Sequence, residues 1–482
     1  MSTAHGGLPP GSTTSGPADG ATDDAGRPEA PQTTPRGPRR RRPLVIGAAV
    51  VAALSLAAGG VIAGQAHERG RPAGSPGAGQ VAPPSTTPEP TAAEPSPAET
   101  ASPPPQPVGR LESVEWWNRK FHRYWADVRP REMALSRSAD SWDHYSAAYS
   151  VDALTAAYQA TGDTAYLDDA LRMVENVMAS SRPSSSLPRS QYHDAFRGWA
   201  SSQEGGKEVP LYESYFWRYA TSLLRVIHQT PRLADDAAVQ RRYRAVLAFA
   251  QRNIVRKWVQ RGASSAVYRS RTHMAAHWAM IAVNLSAVTT DPALLAQYRQ
   301  IITSIDRRLP NYPSSLRRQM KPNPRDRNAY FWNDVWGSSA RPGSDVSHGS
   351  GVIAYVVTAH DQGIDWTQQD IARFVELLDR VVWPRKGVVT EFVDGSGTGN
   401  GWIADGWVKL GRYDPDLQRR LEQHTVQNDQ FLANGALNAA LLLCPQTSGT
   451  ANAPPACDRP APTDGVSVTP TPAAPQAGLS TP

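Results

Sequence analysis

Two histidines one helical turn apart, His273 and His277, lie in YRSRTHMAAHWAMIAVNLSAV, the stretch from Tyr268 to Val288. Tyr268 and Arg271 stand just ahead of them, and Asn284 falls further along the same side of the helix. Together they gather a phenol, a guanidinium and two imidazoles at one helix N-terminus. These groups suit proton transfer beside a bound anion: the imidazole takes a proton, the phenol returns one, and the cation with the helix dipole neutralises a carboxylate. The spacing is also that of two zinc ligands on a helix. Met274, however, stands where an HExxH site has its Glu, and no third ligand is evident, so no metal is expected. A phosphate-cradling GxxxxGK[ST], a GxSxG elbow and a dinucleotide fingerprint are all missing, and no cofactor is expected.

Other helices begin in a similar way. One opens on Trp142, Asp143, His144 and Tyr145, another on Tyr212, Glu213 and Tyr215, and a third on Asp345, Ser347 and His348. Glu391 and Asp394 precede a further start near Trp402 and Asp405. Ser344 or Asp345 can cap the third of these, and the dipole there disfavours a charged His348, leaving the neutral imidazole a general base requires. Two reactions fit this set. Elimination from a uronic acid polymer needs a group to neutralise the carboxylate (Arg271 with Asn284 or Asn333), a base (His277 or His348) and an acid (Tyr212 or Tyr268). Hydrolysis needs two carboxyls across the glycosidic bond, for which Glu213, Asp345, Glu391 and Asp394 are the candidates. His, Tyr and Arg outnumber unpaired acids, which favours elimination. Tryptophan outnumbers phenylalanine fourteen to eight, and Trp199, Trp332, Trp336 and Trp402 offer flat rings for sugar faces. His144 and His273 are further candidates for substrate contact. Trp217, Trp258 and Trp278 read as core. Arg317, Arg318, Lys321 and Arg325, beside aromatic residues, suit an acidic polymer.

The elements that must position these groups are helices. Ala147, Val151, Leu154 and Tyr158 make one apolar face, and Leu167, Ala170, Leu171, Val174 and Met178 make the next. Gly162 and Asp163 stand between them as stop and start signals. Similar turns fall near 231, 291, 364 and 413, with Asp291–Pro292 and Asp414–Pro415 as cap and first helical position. The pattern predicts five helical hairpins, and the unpaired helices Ser113 to Asp127 and Asn428 to Leu443 would close a sixth. Long connections near 128–142, 181–210, 259–270, 309–344 and 384–401 precede the inner helices, so the candidate residues converge on one mouth. GSGTGNG, Gly395 to Gly401, reads as a loop there.

Six hairpins of this size resemble the (α/α)6 toroid of the six-hairpin glycosidases and the toroid polysaccharide lyases. The resemblance covers residues 111 to 443, rests on architecture without a diagnostic motif, and implies an all-α domain acting on a polysaccharide. An open helical solenoid is the alternative fold, and a glycan-binding or scaffold domain the alternative function.

The rest of the chain reads as export machinery. Residues 1–43 are Gly, Pro, Ser and Thr rich and predicted to be a disordered cytoplasmic tail. Arg39 to Arg42 abut Leu44 to Gly64, an uncharged run long enough to span a bilayer, and place all later residues outside the cell. A cleaved signal peptide is the other reading, with secretion as its outcome. Residues 65–110 make a Pro-rich spacer, 111–444 the globular domain and 445–482 a second tail. The net charge of +6 owes much to the juxtamembrane arginines, so nucleic acid is not the expected partner; a polysaccharide or cell-wall glycan is. Cys444 and Cys457, the only two cysteines, could pair in that compartment.

Overall fold

Asp140, Asp163, Asp236, Asp291, Asp345, Thr367 and Asp414 each accept a hydrogen bond from a backbone N–H in the first turn of the next helix. In the computed structural model, which describes residues 110–424, 428–447 and 453–458, these caps open seven of the main helices. The elements are α1 (Val114–Ser136), α2 (Ser141–Thr161), α3 (Thr164–Ser180), α4 (Pro210–Gln229), α5 (Ala237–Phe249) and α6 (Thr272–Ser286). They continue as α7 (Pro292–Arg307), α8 (Val346–Asp361), α9 (Gln368–Glu376), α10 (Gly406–Lys409), α11 (Pro415–Glu422) and α12 (Asp429–Thr447). A π-helical stretch, Ala250–Arg256, extends α5, and a second, Leu377–Val382, extends α9. The described part is mostly helical. Its only ladders of strand are two antiparallel ribbons, Arg182–Pro183 with Arg197–Gly198 and Lys321–Pro322 with Tyr330–Phe331.

Helices α2, α4, α6 and α8 are buried on nearly every side. They pack in order: α2 on α4, α4 on α6, α6 on α8, α8 on α10, α10 on α12, and α12 back on α2. The others, with one apolar face each, cover them: α3 pairs with α2, α5 with α4, α7 with α6, α9 with α8, and α11 with α12, while α1 bridges α12 and α2. A small polar cavity of about 30 Å3 is lined by all six central elements, among them Gln159, Ser222, Met280, Thr358, Lys409 and Asn434. The long connections return to the starts of the central helices through isolated bridges, Asp140 to Ala200, Arg271 to Val335 and Asp345 to Phe392.

The hairpin turns fall where the sequence places them, and Gly162 takes the left-handed conformation (φ 77°) that ends α2. Three boundaries differ. Helix α1 does not stop near 127 but runs through Pro130 to Ser136, because Val128, Met133 and Ser136 keep its buried face continuous, which outweighs one lost N–H. The connection expected at 128–142 shrinks accordingly. The helix expected from Trp402 starts only at Gly406, since Asp405 has φ 55° and cannot be helical. Past 444 the chain does not simply leave the domain: Cys444 and Cys457 form a disulfide, and Ala453, Pro455 and Ala456 are buried. Arg232 Nη2 donates to the Ala453 carbonyl and the Asp458 carboxylate, each at 3.0 Å. The expected tail at 1–43, anchor at 44–64, spacer up to 109 and everything after 458 lie outside the described residues.

Candidate active site

Helix α6 has no capping side chain of its own, since Arg271 occupies its N-cap. The cap comes from the 309–344 connection. Asp334 Oδ1 accepts from Thr272 Oγ1 at 2.8 Å, from the His273 N–H at 3.4 Å and from His273 Nδ1 at 2.8 Å. Arg271 Nη1 lies 3.7 Å from its other oxygen. Helix α8 repeats the device with a cap of its own: Asp345 accepts from the His348 N–H at 2.9 Å and from His348 Nδ1 at 2.6 Å. A carboxylate can only accept, so in both histidines the proton sits on Nδ1 and Nε2 is the basic atom. The two rings lie 4.3 Å apart, centroid to centroid. Burial opposes ionisation of Asp334 and Asp345, but their histidine partners hold both carboxyls below the usual carboxylate range. His348 is about one-third exposed, at 34% of its side chain, whereas His273 is buried.

One turn deeper, His277 is buried, 6.0 Å from His273 and 5.0 Å edge-on from Tyr215. Burial and the nearby Arg218 push its pKa well below that of free imidazole, and its Nδ1 has no partner among the described residues. Arg218 forms the floor. Its guanidinium carbon lies 4.1 Å from the Tyr215 ring and 4.3 Å from the Tyr219 ring, and Nη2 donates to Asp405 at 3.0 Å. Burial disfavours the Arg218 charge, but the Asp405 carboxylate beside it favours it. Tyr219 also donates to Asp405, and Gln430 Nε2 links that hydroxyl (3.0 Å) to Asp152 (2.9 Å) and so to Lys409. Gly351 lets α8 approach closely here, since a Cβ would stand 3.0 Å from His277 Nε2 and 3.5 Å from Arg218 Nη1. The wall is aromatic: Tyr145 stacks on Tyr215 at 3.9 Å, Tyr149 meets Tyr215 at 5.6 Å, and Trp402 meets Tyr149 at 6.2 Å. Burial raises the Tyr145, Tyr149 and Tyr215 phenols above their ordinary value, so they stay protonated at neutral pH.

Of the residues singled out in the sequence, His273, His277, His348, Asp345, Arg271 and Trp402 meet at this place, and Tyr212 joins through Tyr145 at 5.6 Å. The others are placed elsewhere. Glu213 precedes Tyr215 by two residues, about 200° around the helix; it is buried against Lys257 and Trp258 at 2.8 Å. Asn284 continues the His277 stripe but about 10 Å deeper, where it binds Arg225 Nε (2.8 Å) and the Arg218 carbonyl (3.2 Å). His144 is bound to the Ser138 carbonyl at 2.8 Å, and burial pulls its pKa down to about 4. Trp199, Trp332 and Trp336 are buried and present no free face to a sugar; Trp336 Nε1 donates to the Arg269 carbonyl. Asn333 bonds within its own loop, to Ala340 and Val335. Tyr268 packs into the core. Asp394 is buried against Arg341 and Ser396. Glu391 is exposed, with its backbone on Val346.

Arg218, Asp334 and Tyr149 were missed. Arg218 sits two turns inside α4, and its partner is 187 residues away. The signal was present: Tyr215, Arg218, Tyr219, Ser222 and Arg225 form a polar stripe at helical spacing on a helix otherwise rich in apolar side chains. No protein-family model, curated protein or solved structure matches this chain.

Proposed function

We propose that this domain is an (α/α)6 toroid that acts outside the cell, tethered by the 44–64 segment, as a polysaccharide lyase on an acidic, uronate-bearing glycan. The cyclic order of helix contacts and the cavity lined by all six central elements support the ring. The observation that carries the chemistry is the facing pair His273 and His348, each with Nδ1 on its own carboxylate, beside a wall of protonated phenols. In elimination a base removes the proton next to the uronate carboxylate, the bond to the leaving oxygen breaks, and a carbon–carbon double bond forms. His348, whose side chain is partly exposed, is the base through Nε2, and Tyr149 or Tyr215 protonates the leaving oxygen. Arg271 at the rim pairs with the substrate carboxylate, while the buried Arg218 charge stabilises the enolate that develops. Hydrolysis is less well served: Glu213 and Asp394 are tied up in ion pairs, and Asp345 is spent on orienting His348.

Incubation of the chain with uronic acid polymers, following ultraviolet absorbance and reducing ends, tests this. Unsaturated product is expected, with His348→Ala and Asp345→Asn reducing its rate about 100-fold or more and Glu213→Gln lowering stability instead. Reducing ends without absorbance would replace elimination by hydrolysis. Wall-glycan binding with neither signal would leave a non-catalytic binder.

A further inference from the structure

A cavity of about 590 Å3, lined by none of the candidate active-site residues, lies between the 181–210 connection, the end of α5 with its π-helical extension, and the start of α7. Its lining includes Phe196, Ala248, Gln251, Arg252, Arg256 and Asp291. Ala248, Arg252 and Arg256 recur every four residues and share one face, because the opposite face of the π-helical stretch buries Asn253, Ile254 and Val255. Both arginines are exposed, and neither forms a hydrogen bond or ion pair among the described residues. Neighbouring arginines behave differently: Arg242 is held by Asp168 and Glu175, and Arg261 by Asp194 and Glu208. The one carboxylate on the lining is already engaged, since Asp291 caps α7 by accepting from the Ala293 and Leu294 N–H groups at 2.8 and 3.2 Å. Phe196 supplies a half-buried aromatic side, and Ala195 and Ala248 leave the space open. The volume falls within the ordinary range of small-molecule sites.

We infer that this cavity is a second, non-catalytic site for an acidic sugar, whose carboxylate or sulfate pairs with Arg252 and Arg256 while its ring lies against Phe196. The inference rests on the reading of the protein's ligand as an acidic glycan. A polymer held here has its free segments kept near the mouth at raised effective concentration. The two guanidiniums hold no part of the fold, so Arg252→Gln with Arg256→Gln should leave the melting temperature unchanged.

Affinity electrophoresis of the full chain in polygalacturonate, hyaluronan and neutral dextran tests the site. The double variant should weaken binding to the acidic polymers about fivefold or more and flatten its salt dependence. Phe196→Ala should weaken polymer binding while keeping the salt dependence, and His348→Ala should leave the affinity of this site intact. Binding to acidic polymers that is unchanged in the double variant, or equal binding to dextran, would overturn the second site and leave the mouth reading standing. No binding to any acidic polymer would overturn both.

Discussion

Arg218 and Asp405 form an ion pair with side chains 0% and 3% exposed, and Asp405 has a positive φ of 55°. Removing one partner leaves the other charge buried alone, so Arg218→Met is expected to cost about 3–5 kcal/mol, with Asp405→Leu recovering part of that loss in the double variant. Denaturant titration of the four proteins of this cycle measures it. Asp306 makes a different prediction. Burial, against the pull of the Tyr355 hydroxyl hydrogen bond at 2.5 Å, pushes its carboxyl up to about 7 from an ordinary 3.8. A raised acid contributes its stability fully below about pH 4 and loses it as the pH rises through 7. Asp306→Asn should match the parent in stability at pH 4 and exceed it at pH 8.5 by up to roughly 4 kcal/mol. Equal pH profiles for the two would refute the assignment. At this scale the sequence was a partial guide. His273, His277 and His348 were legible because each stands at or near a helix start, whereas Asp334 was not, being a cap supplied from 61 residues further on.

Helices were easier to read than side-chain partners because their punctuation is local. Asp163, Asp291 and Asp414 cap the helices they precede, as their positions before Thr164, Pro292 and Pro415 implied. Asp291→Ala should cost about 1 kcal/mol of stability, read as a lower denaturation midpoint. What local punctuation could not reveal was set by distant contacts: α1 persists through Pro130 because of what it packs against, and α10 is short because Asp405 turns back to reach Arg218. Helices α1 and α12 approach closely at Gly435, where a Cβ would stand 2.5 Å from the Trp117 ring. Gly435→Ala is expected to destabilise by about 1–3 kcal/mol and to shift Trp117 fluorescence. Trp117→Phe, which removes the crowded ring edge, should relieve part of that cost, giving a coupling a helix-propensity effect would lack.

In the whole molecule the two ends of the described chain meet. Helix α12 packs on α1 and α2, and the Cys444–Cys457 disulfide folds the segment to Asp458 back over Gly162 and Arg232, on the turns of the first two hairpins. Replacing both cysteines by serine should cost about 3 kcal/mol, from freeing a short loop in the unfolded chain, and should expose 453–458 to protease. The histidine pair is held by α6, α8 and their connections, so its chemistry should survive that change at moderate temperature. In a stacked array of helical pairs, the outermost pair frays first and unfolding spreads inward. The last described helix is a neighbour of the first two, so in the ring proposed above no pair is outermost. On the proposed ring there is no edge from which to peel, so every opening would break contacts on both flanks, and the described residues should melt in one transition rather than as a progression of partly unwound forms.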